Sequence, residues 1–289
     1  MRIAFATHAK LDGLTPSDQL AADQLSRGGA TVTPIQWNAT TDWRQFDAVV
    51  IRATWDYYTR PDQYLDWLRT LQHQGVPVWN PAPLAAWNMY KGYLRDLERA
   101  GIVTVPTEWI KETRHPASLE RLVHERGWTD VVVKPAVSAN ADRTWRTQGG
   151  VTNADEARFS DLTATGEVMV QPLLETLVEE GEWSFVFLGG EFSHAVLKRP
   201  APGDFRVQTN LGGRVTRADA PAEWVKQARA VLGMVQGRWL YARVDGCMLD
   251  DQFVLMELEM LEPDLFLNLD SQAPARFAEA LLRLVKGER

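Results

Sequence analysis

Glu257 and Glu259 stand two apart in the run FVLMELEMLEP, and Asp245 lies twelve positions upstream of the first, in YARVDGCML. Both runs are rich in apolar and β-branched residues and read as strands. Strand side chains alternate faces, so Glu257 and Glu259 share one face, while Met256, Leu258 and Met260 point to the other, toward a core. Two adjacent carboxylates repel and are costly to half-bury. A divalent cation relieves that cost, and hard carboxylate oxygens suit Mg2+. Asp245, Glu257 and Glu259 are therefore candidate metal ligands. For the two glutamates alone, a solvated strand face has equal weight.

Three further groups carry chemistry. Lys134 closes the apolar strand TDVVVKPA (129–136). A lysine at the end of a buried strand needs an anionic partner. The loop after it, VSANADRTW, has small residues at Ser138, Ala139 and Ala141 but no glycine before Gly149. Small residues admit a phosphate near the backbone, less freely than glycine does; the alternative is a mobile surface loop. The third group is RATWDYYTR, which places Arg52, Trp55, Asp56, Tyr57 and Arg60 after a strand, where parallel sheets bind ligands. Arg52 suits a two-pronged clamp on a substrate carboxylate, with Trp55 and Asp56 beside it. A packed loop with an internal Arg–Asp pair has equal weight. Glu262 and Asp264 either read a substrate amine or are ordinary loop acids. His8 is a weaker candidate, and no histidine has a visible nucleophile or metal partner.

The elements that must position these groups follow from the pattern. RIAFA (2–6), TVTPIQW (31–37), DAVVIRA (47–53) and VPVWN (76–80) read as strands separated by helices. Thr15-Pro16-Ser17-Asp18 opens the first helix, with Thr15 as cap. This β-α-β alternation implies a mostly parallel, Rossmann-like sheet. No GxGxxG follows the first strand, which disfavours a dinucleotide site and an NAD-type oxidoreductase. After the turn Asn80-Pro81-Ala82-Pro83 come a helix over 84–100, short strands at 105–110 and 167–174, and a helix opened by Ser118. Beyond these lie a hairpin turning at Gly189-Gly190, a helix over 221–237, a second hairpin around Asp250-Asp251 and a final helix over 274–286.

Composition bounds the answer. The 289 residues carry a formal net charge of −7, 45% hydrophobic and 24% charged residues. That is globular composition with room for two or three small domains. An acidic chain without a basic block is a poor nucleic-acid binder. No apolar run is long enough to span a membrane, and MRIAFATHAK lacks the features of a signal peptide. Cys247 stands alone, which excludes an intrachain disulfide and suggests a buried thiol. A cytoplasmic protein is the expectation. Most of the twelve tryptophans should pack in cores, with one or two left for a ligand pocket.

The order of these motifs resembles the ATP-grasp superfamily, in the arm of glutathione synthetase and the ribosomal-protein glutamate ligases. The nearest look is to enzymes of the O-ureido-serine cyclo-ligase type. The resemblance rests on motifs over residues 80–270 and on fold alone before them. It implies an α/β fold in which an N-terminal Rossmann-like domain (1–83) precedes two subdomains (84–176 and 177–289) that clamp ATP. It also implies ATP- and Mg2+-dependent joining of a small carboxylate to an amine or other nucleophile through an acyl phosphate. Two metal ions are expected, with Mn2+ as an alternative, and homodimers are common in the family. By resemblance, Lys91 in WNMYKGYLRDLERAGIVTVPT and Lys134 hold the nucleotide phosphates, under the loop bearing Ser138. Gln171, Leu173 and Leu174 in QPLL form the adenine-binding hinge, and Glu182, with Glu179 as second choice, binds the ribose. Arg206 stabilises charge in the transfer step, Asn210 holds the loop or the phosphate, and Lys198 is a further catalytic candidate. Asp245, Glu257 and Glu259 match the magnesium ligands, where the family more often has Glu-x-Asn for the last pair. Two rival readings are an intramolecular cyclo-ligase and a nucleotide-binding regulatory module without turnover.

Overall fold

The computed structural model describes residues 1–111, 118–207 and 211–287. The chain first builds β1 (Arg2–Thr7), α1 (Pro16–Arg27), β2 (Thr31–Gln36), β3 (Ala48–Ile51), α2 (Pro61–His73) and β4 (Val78–Trp79). The strands pair in parallel in the order β2-β1-β3-β4. Ile3 to Ala6 and Ala48 to Ile51 are fully buried, the unbroken apolar run that a parallel strand covered on both faces requires. α1 starts where the capping pattern predicts, with Thr15 accepting the Asp18 N–H at 3.0 Å.

The single helix expected over 84–100 is two, α3 (Ala82–Met89) and α4 (Tyr93–Arg99). Tyr90 takes an extended conformation, and the Lys91 N–H leaves the helical ladder to donate to Ala136 O at 2.8 Å. That break puts Lys91 in a turn against the next sheet. The second sheet combines β5 (Glu108–Ile110), β6 (Val131–Pro135), β7 (Trp145–Arg146) and β8 (Val168–Pro172) in the antiparallel order β5-β8-β6-β7. α5 (Leu119–Arg126) and α6 (Asn153–Thr163) cover one face with Leu119, Val123, Phe159 and Leu162. The sequence reading passed over α6, although Thr152 and Asp155 form a capping box. α7 (Glu175–Glu179) is a short helix between β8 and the third sheet.

The third sheet runs β11-β10-β9-β12-β13 and is antiparallel throughout. Its strands are β9 (Glu182–Leu188), β10 (Glu191–Arg199), β11 (Arg214–Ala218), β12 (Tyr241–Leu249) and β13 (Gln252–Glu259), with α8 (Ala222–Leu232) before β12 and α9 (Ala273–Val285) at the end. Both predicted hairpin turns are present, and each has two residues at positive φ: Gly189-Gly190 and Asp250-Asp251. β12 and β13 slip register between Asp245 and Gly246, so Asp245 faces Glu257 but Gly246 faces Leu255. Met256 bulges out there, where it lines a cavity and packs on the small cluster of Val105, Cys247 and Val254, whereas Leu258 and Met260 are fully buried. A Cβ on Gly246 would lie 2.3 Å from Val254 O, so only glycine fits. Cys247 beside it is buried, which pushes its thiol up to about 11.

α9 packs Phe277 and Leu281 with Ile3, Phe5 and Leu25 of the first sheet layer and with Val186 and Leu188 of β9. Two buried asparagines add polar stitching. Asn80 Nδ2 donates to Tyr241 O and Met260 O at 2.7 and 2.8 Å, and Asn88 Nδ2 donates to Leu258 O at 2.7 Å. The end of β13, which carries both candidate glutamates, is thus held from the first two sheets' connecting segment. Among the described residues no helix is long and apolar enough to cross a membrane.

Candidate active site

A cavity of about 530 Å³ opens where the second and third sheets meet, within the usual size range for ligand sites. Its wall includes Lys91, Lys134, Gln171, Glu182, Lys198, Arg206, Arg243, Glu257, Glu259 and Glu262. The predicted acids come together through strand register: Asp245 lies opposite Glu257, and Arg243 opposite Glu259.

Most of these charges are already paired. Arg243 donates through Nε and Nη2 to Asp245 at 3.0 and 2.8 Å, and through Nη2 to Glu259. Lys198 Nζ donates to Asp245 Oδ2 at 3.0 Å and to Glu182. Lys91 Nζ lies 3.1 Å from Glu257 Oε1 and donates to Ser138 O at 2.8 Å. Burial pushes the Asp245 carboxyl upward, but Arg243 and Lys198 outweigh it and hold the group well below the usual carboxylate range. Glu257 is likewise burdened by burial yet lowered, because Lys91 and Lys134 both face it. Glu259 goes the other way. Burial, opposed by Arg243 but reinforced by Glu257 and Asp245, raises it to about 8. Burial also raises Glu182 despite Lys198, and raises Glu262 to about 7.

Lys134 is different. It lines the cavity, burial lowers its pKa, and it makes no hydrogen bond or ion pair with any described residue. Lys91 reaches the same space from the α3–α4 break, as does Ser138, whose Oγ donates to Pro135 O at 3.3 Å. The loop beyond Ser138 supplies by conformation what it lacks in glycine. Asn140, Ala141 and Arg143 all take left-handed backbone, at φ 55°, 56° and 51°. Leu173, Leu174 and Leu177 form an apolar wall with Val105 and Met256. Leu173 N–H is fixed to Asp130 O at 2.9 Å, and Gln171 Nε2 donates to Thr107 Oγ1 at 2.8 Å.

Four expectations require correction. Arg52 does not line the cavity: it is 2% exposed and bound at 2.7 Å to Asp18, itself 2% exposed, with Nη2 donating to Pro263 O. The N-terminal helix claims its charge, so it is not a free substrate clamp. Asp56 is absent from the wall as well, because Trp37 Nε1 and Arg60 Nη2 both donate to it, at 2.7 and 2.9 Å. Glu179 is exposed on α7 and is not part of the cavity wall that Glu182 joins. Asp245, only 1% exposed, has its oxygens engaged by Arg243 and Lys198 and is not presented as a free metal ligand. Arg206 lines the cavity and pairs with Asp204 at 2.9 Å, and Asn210 lies outside the described residues. Trp55 does line it and donates from Nε1 to Glu262 O at 3.0 Å.

Among the described residues, no three Asp, Glu, His or Cys side chains are grouped as a ready-made metal site. Glu257 and Glu259 nevertheless face the cavity side by side. Two carboxylates completed by phosphate oxygens are the ordinary protein contribution to Mg2+, so the donors fit a phosphate-borne ion rather than an all-protein cage. Sequence reasoning missed Arg243. Its signal was present: Arg and Asp two apart in YARVDG share a strand face and meet the two-apart glutamates of β13.

Comparison with known proteins adds the following. A family model described as the N-terminal domain of D-cycloserine synthetase DcsG matches residues 3–80. Over 275 residues, 89% of this chain and 90% of the relative, the chain is 28% identical to the cycloserine biosynthesis protein DcsG of Streptomyces lavendulae. The crystal structure of D-cycloserine synthetase DcsG superposes with a TM-score of 0.87 at 24% identity, covering 99% of this chain and 100% of that one. D-alanine–D-alanine ligase from Bacillus anthracis complexed with ATP superposes with a TM-score of 0.68 at 17% identity, with 99% of each chain covered.

Proposed function

We propose that the chain is a ligase of the ATP-grasp superfamily that activates a small amino-acid-like carboxylate with ATP and joins it to a nucleophile. The observation that carries this reading is Lys134, which pairs with no described residue in a cavity whose other cations are already matched. Such a group requires an anion, and a polyphosphate between Lys134 and Lys91 supplies one. The apolar wall of Leu173, Leu174 and Leu177 suits a base ring, and Glu182 suits ribose hydroxyls. The three units 1–83, 84–176 and 177–289 would act as acceptor-binding domain and two jaws.

In the proposed reaction the substrate carboxylate attacks the γ-phosphorus and ADP departs. The nucleophile then attacks the carbonyl carbon of the acyl phosphate and expels inorganic phosphate. Lys91, Lys134 and Arg206 would spread the negative charge of transfer, and Arg243, at the acid row, would stabilise the carbonyl oxygen of the second step. Glu257 and Glu259 would hold Mg2+, which would supply neutralisation of the phosphate charge. Acid–base demand is small because phosphate is a good leaving group, so positioning and electrostatics dominate.

A second reading, intramolecular ring closure of one molecule carrying both carboxylate and nucleophile, as in an O-ureido-serine, is favoured by the near-complete coverage of the DcsG relative. The test is ADP and phosphate release from Mg-ATP across amino acids, O-substituted serines, dipeptides and amine pairs. Release that depends on a carboxylate is the expected result, and dependence on a single compound selects cyclisation. ATP binding without ADP production in any mixture would mean a regulatory module instead. The cytoplasmic location and a homodimer belong to this same proposal.

A further inference from the structure

Of the carboxylates lining the cavity, Glu262 is the one whose side chain makes no hydrogen bond or ion pair with any described residue. Glu182 is taken by Lys198, Glu257 by Lys91 and Glu259 by Arg243, and Asp264 Oδ1 accepts the Phe266 N–H at 2.8 Å. The main chain around Glu262 is by contrast fixed on every side. Asn88 Oδ1 accepts the Leu261 N–H at 3.0 Å, and Tyr241 Oη donates to Leu261 O at 2.9 Å. Trp55 Nε1 donates to Glu262 O, Arg52 Nη2 to Pro263 O and Arg243 Nη1 to Asp264 O, at 3.0, 3.0 and 2.9 Å. A carboxylate with a rigid backbone, a place on a cavity wall and no partner is built to receive a cation.

We infer that Glu262 binds the ammonium group of the substrate, so that this ligase takes carboxylates bearing a free primary amine. The inference rests on the ligase reading above and specifies its substrate. Trp55 and Tyr57 line the cavity too, and aromatic rings beside a carboxylate favour a desolvated organic cation. A metal ion at Glu262 is disfavoured by the lack of two further grouped donors among the described residues. Lys134 and Glu262 line the same cavity, so one wall offers a group that seeks phosphate and a group that seeks a cation, as a nucleotide and an amino acid bound together require. Arg52 and Trp55, assigned from sequence to grip the substrate, act as positioning residues that hold the Glu262 main chain.

The test is calorimetric binding to the full chain with Mg-ADP present, using amino acids (O-ureido-serine included) and the N-acetyl form of each. At least one free amino acid should bind, and its N-acetyl form should bind about 10- to 100-fold more weakly, the worth of a charge-assisted hydrogen bond. Glu262→Gln should weaken the free form by the same factor while leaving Mg-ADP affinity and melting temperature unchanged, and Glu262→Asp should restore part of the loss. Equal binding of free and acetylated forms, no effect of Glu262→Gln, or no binding by any free amino acid overturns the inference. ADP release with acetylated carboxylates alone also overturns it, and leaves the ligase standing. Binding of a free amino acid without any ADP release removes the ligase reading and leaves the ammonium site.

Discussion

Arg52 and Arg243 are both buried arginines bonded to buried aspartates, yet one is scaffold and the other faces a cavity. Arg52 meets Asp18 from α1, and the rings of Tyr241 and Phe277 lie 5.1 and 5.8 Å from its Cζ. Helix and rings wall the pair off. Arg243 meets Asp245 two residues along its own strand and reaches Glu259 across the ladder, so its network lies on a sheet face that the second sheet leaves open. Residue types and contact distances are alike in the two cases, at 2.7 and 2.8 Å. The difference lies in whether the partner arrives on an element that also excludes solvent and ligand. Charge pairs of the first kind hold the fold, and charge rows of the second kind hold substrates.

Cutting the closed pair should have the largest effect, and it should fall on stability. Arg52→Ala leaves Asp18 buried without a counter-charge, a loss of about 3–5 kcal/mol in denaturant unfolding. The fraction that stays folded should bind Mg-ATP as the parent does. A variant of normal stability with a raised substrate KM would return Arg52 to the site and break the comparison. On the open side the effect should fall on binding. Lys134→Ala removes a charge that no described residue pairs, so the fold should lose little, while the Kd for Mg-ATP rises about 10- to 100-fold. Unchanged ATP affinity would mean that Lys134 is not the phosphate anchor.

The parallel first sheet, both hairpins and the acid row were legible in sequence because local periodicity and turn residues determine them. The break at Tyr90-Lys91-Gly92 was not. Helix propensity runs through it, and only the long-range bond from Lys91 N–H to Ala136 O interrupts it. The fate of Arg52 was hidden for the same reason: its partner lies 34 residues away, on an element whose rotation no local pattern specifies. Arg243 was legible and overlooked, since its alternation with Asp245 obeys the rule that picked out Glu257 and Glu259. Glu262 was legible as a type but not as a site, because its lack of a partner is a property of the folded cavity.

His194 extends the comparison to a group that closes without any ion pair, and its effect should be the smallest. The Leu265 carbonyl can only accept, so His194 Nε2 carries the proton and donates to it at 3.0 Å. Nδ1 is then free to accept the Ser193 hydroxyl at 2.9 Å, while Arg276 Nε donates to Ser193 Oγ. Every polar atom of the neutral ring is used, and burial lowers its pKa from 6.5 to about 4. Between those values the unfolded chain binds a proton that the folded chain refuses, so stability declines as pH falls through the window and is unaffected above it. The slope should not exceed about 1.4 kcal/mol per pH unit. His194→Gln, which keeps a donor for Leu265 O but does not titrate, should lose less unfolding free energy than the parent as pH falls from 6.5 to 4 and leave Mg-ATP affinity untouched. A variant with the parent's acid slope would place the responsible proton elsewhere. One that loses ATP affinity would mean that the closed network under the 262–265 segment is coupled to the open one above it.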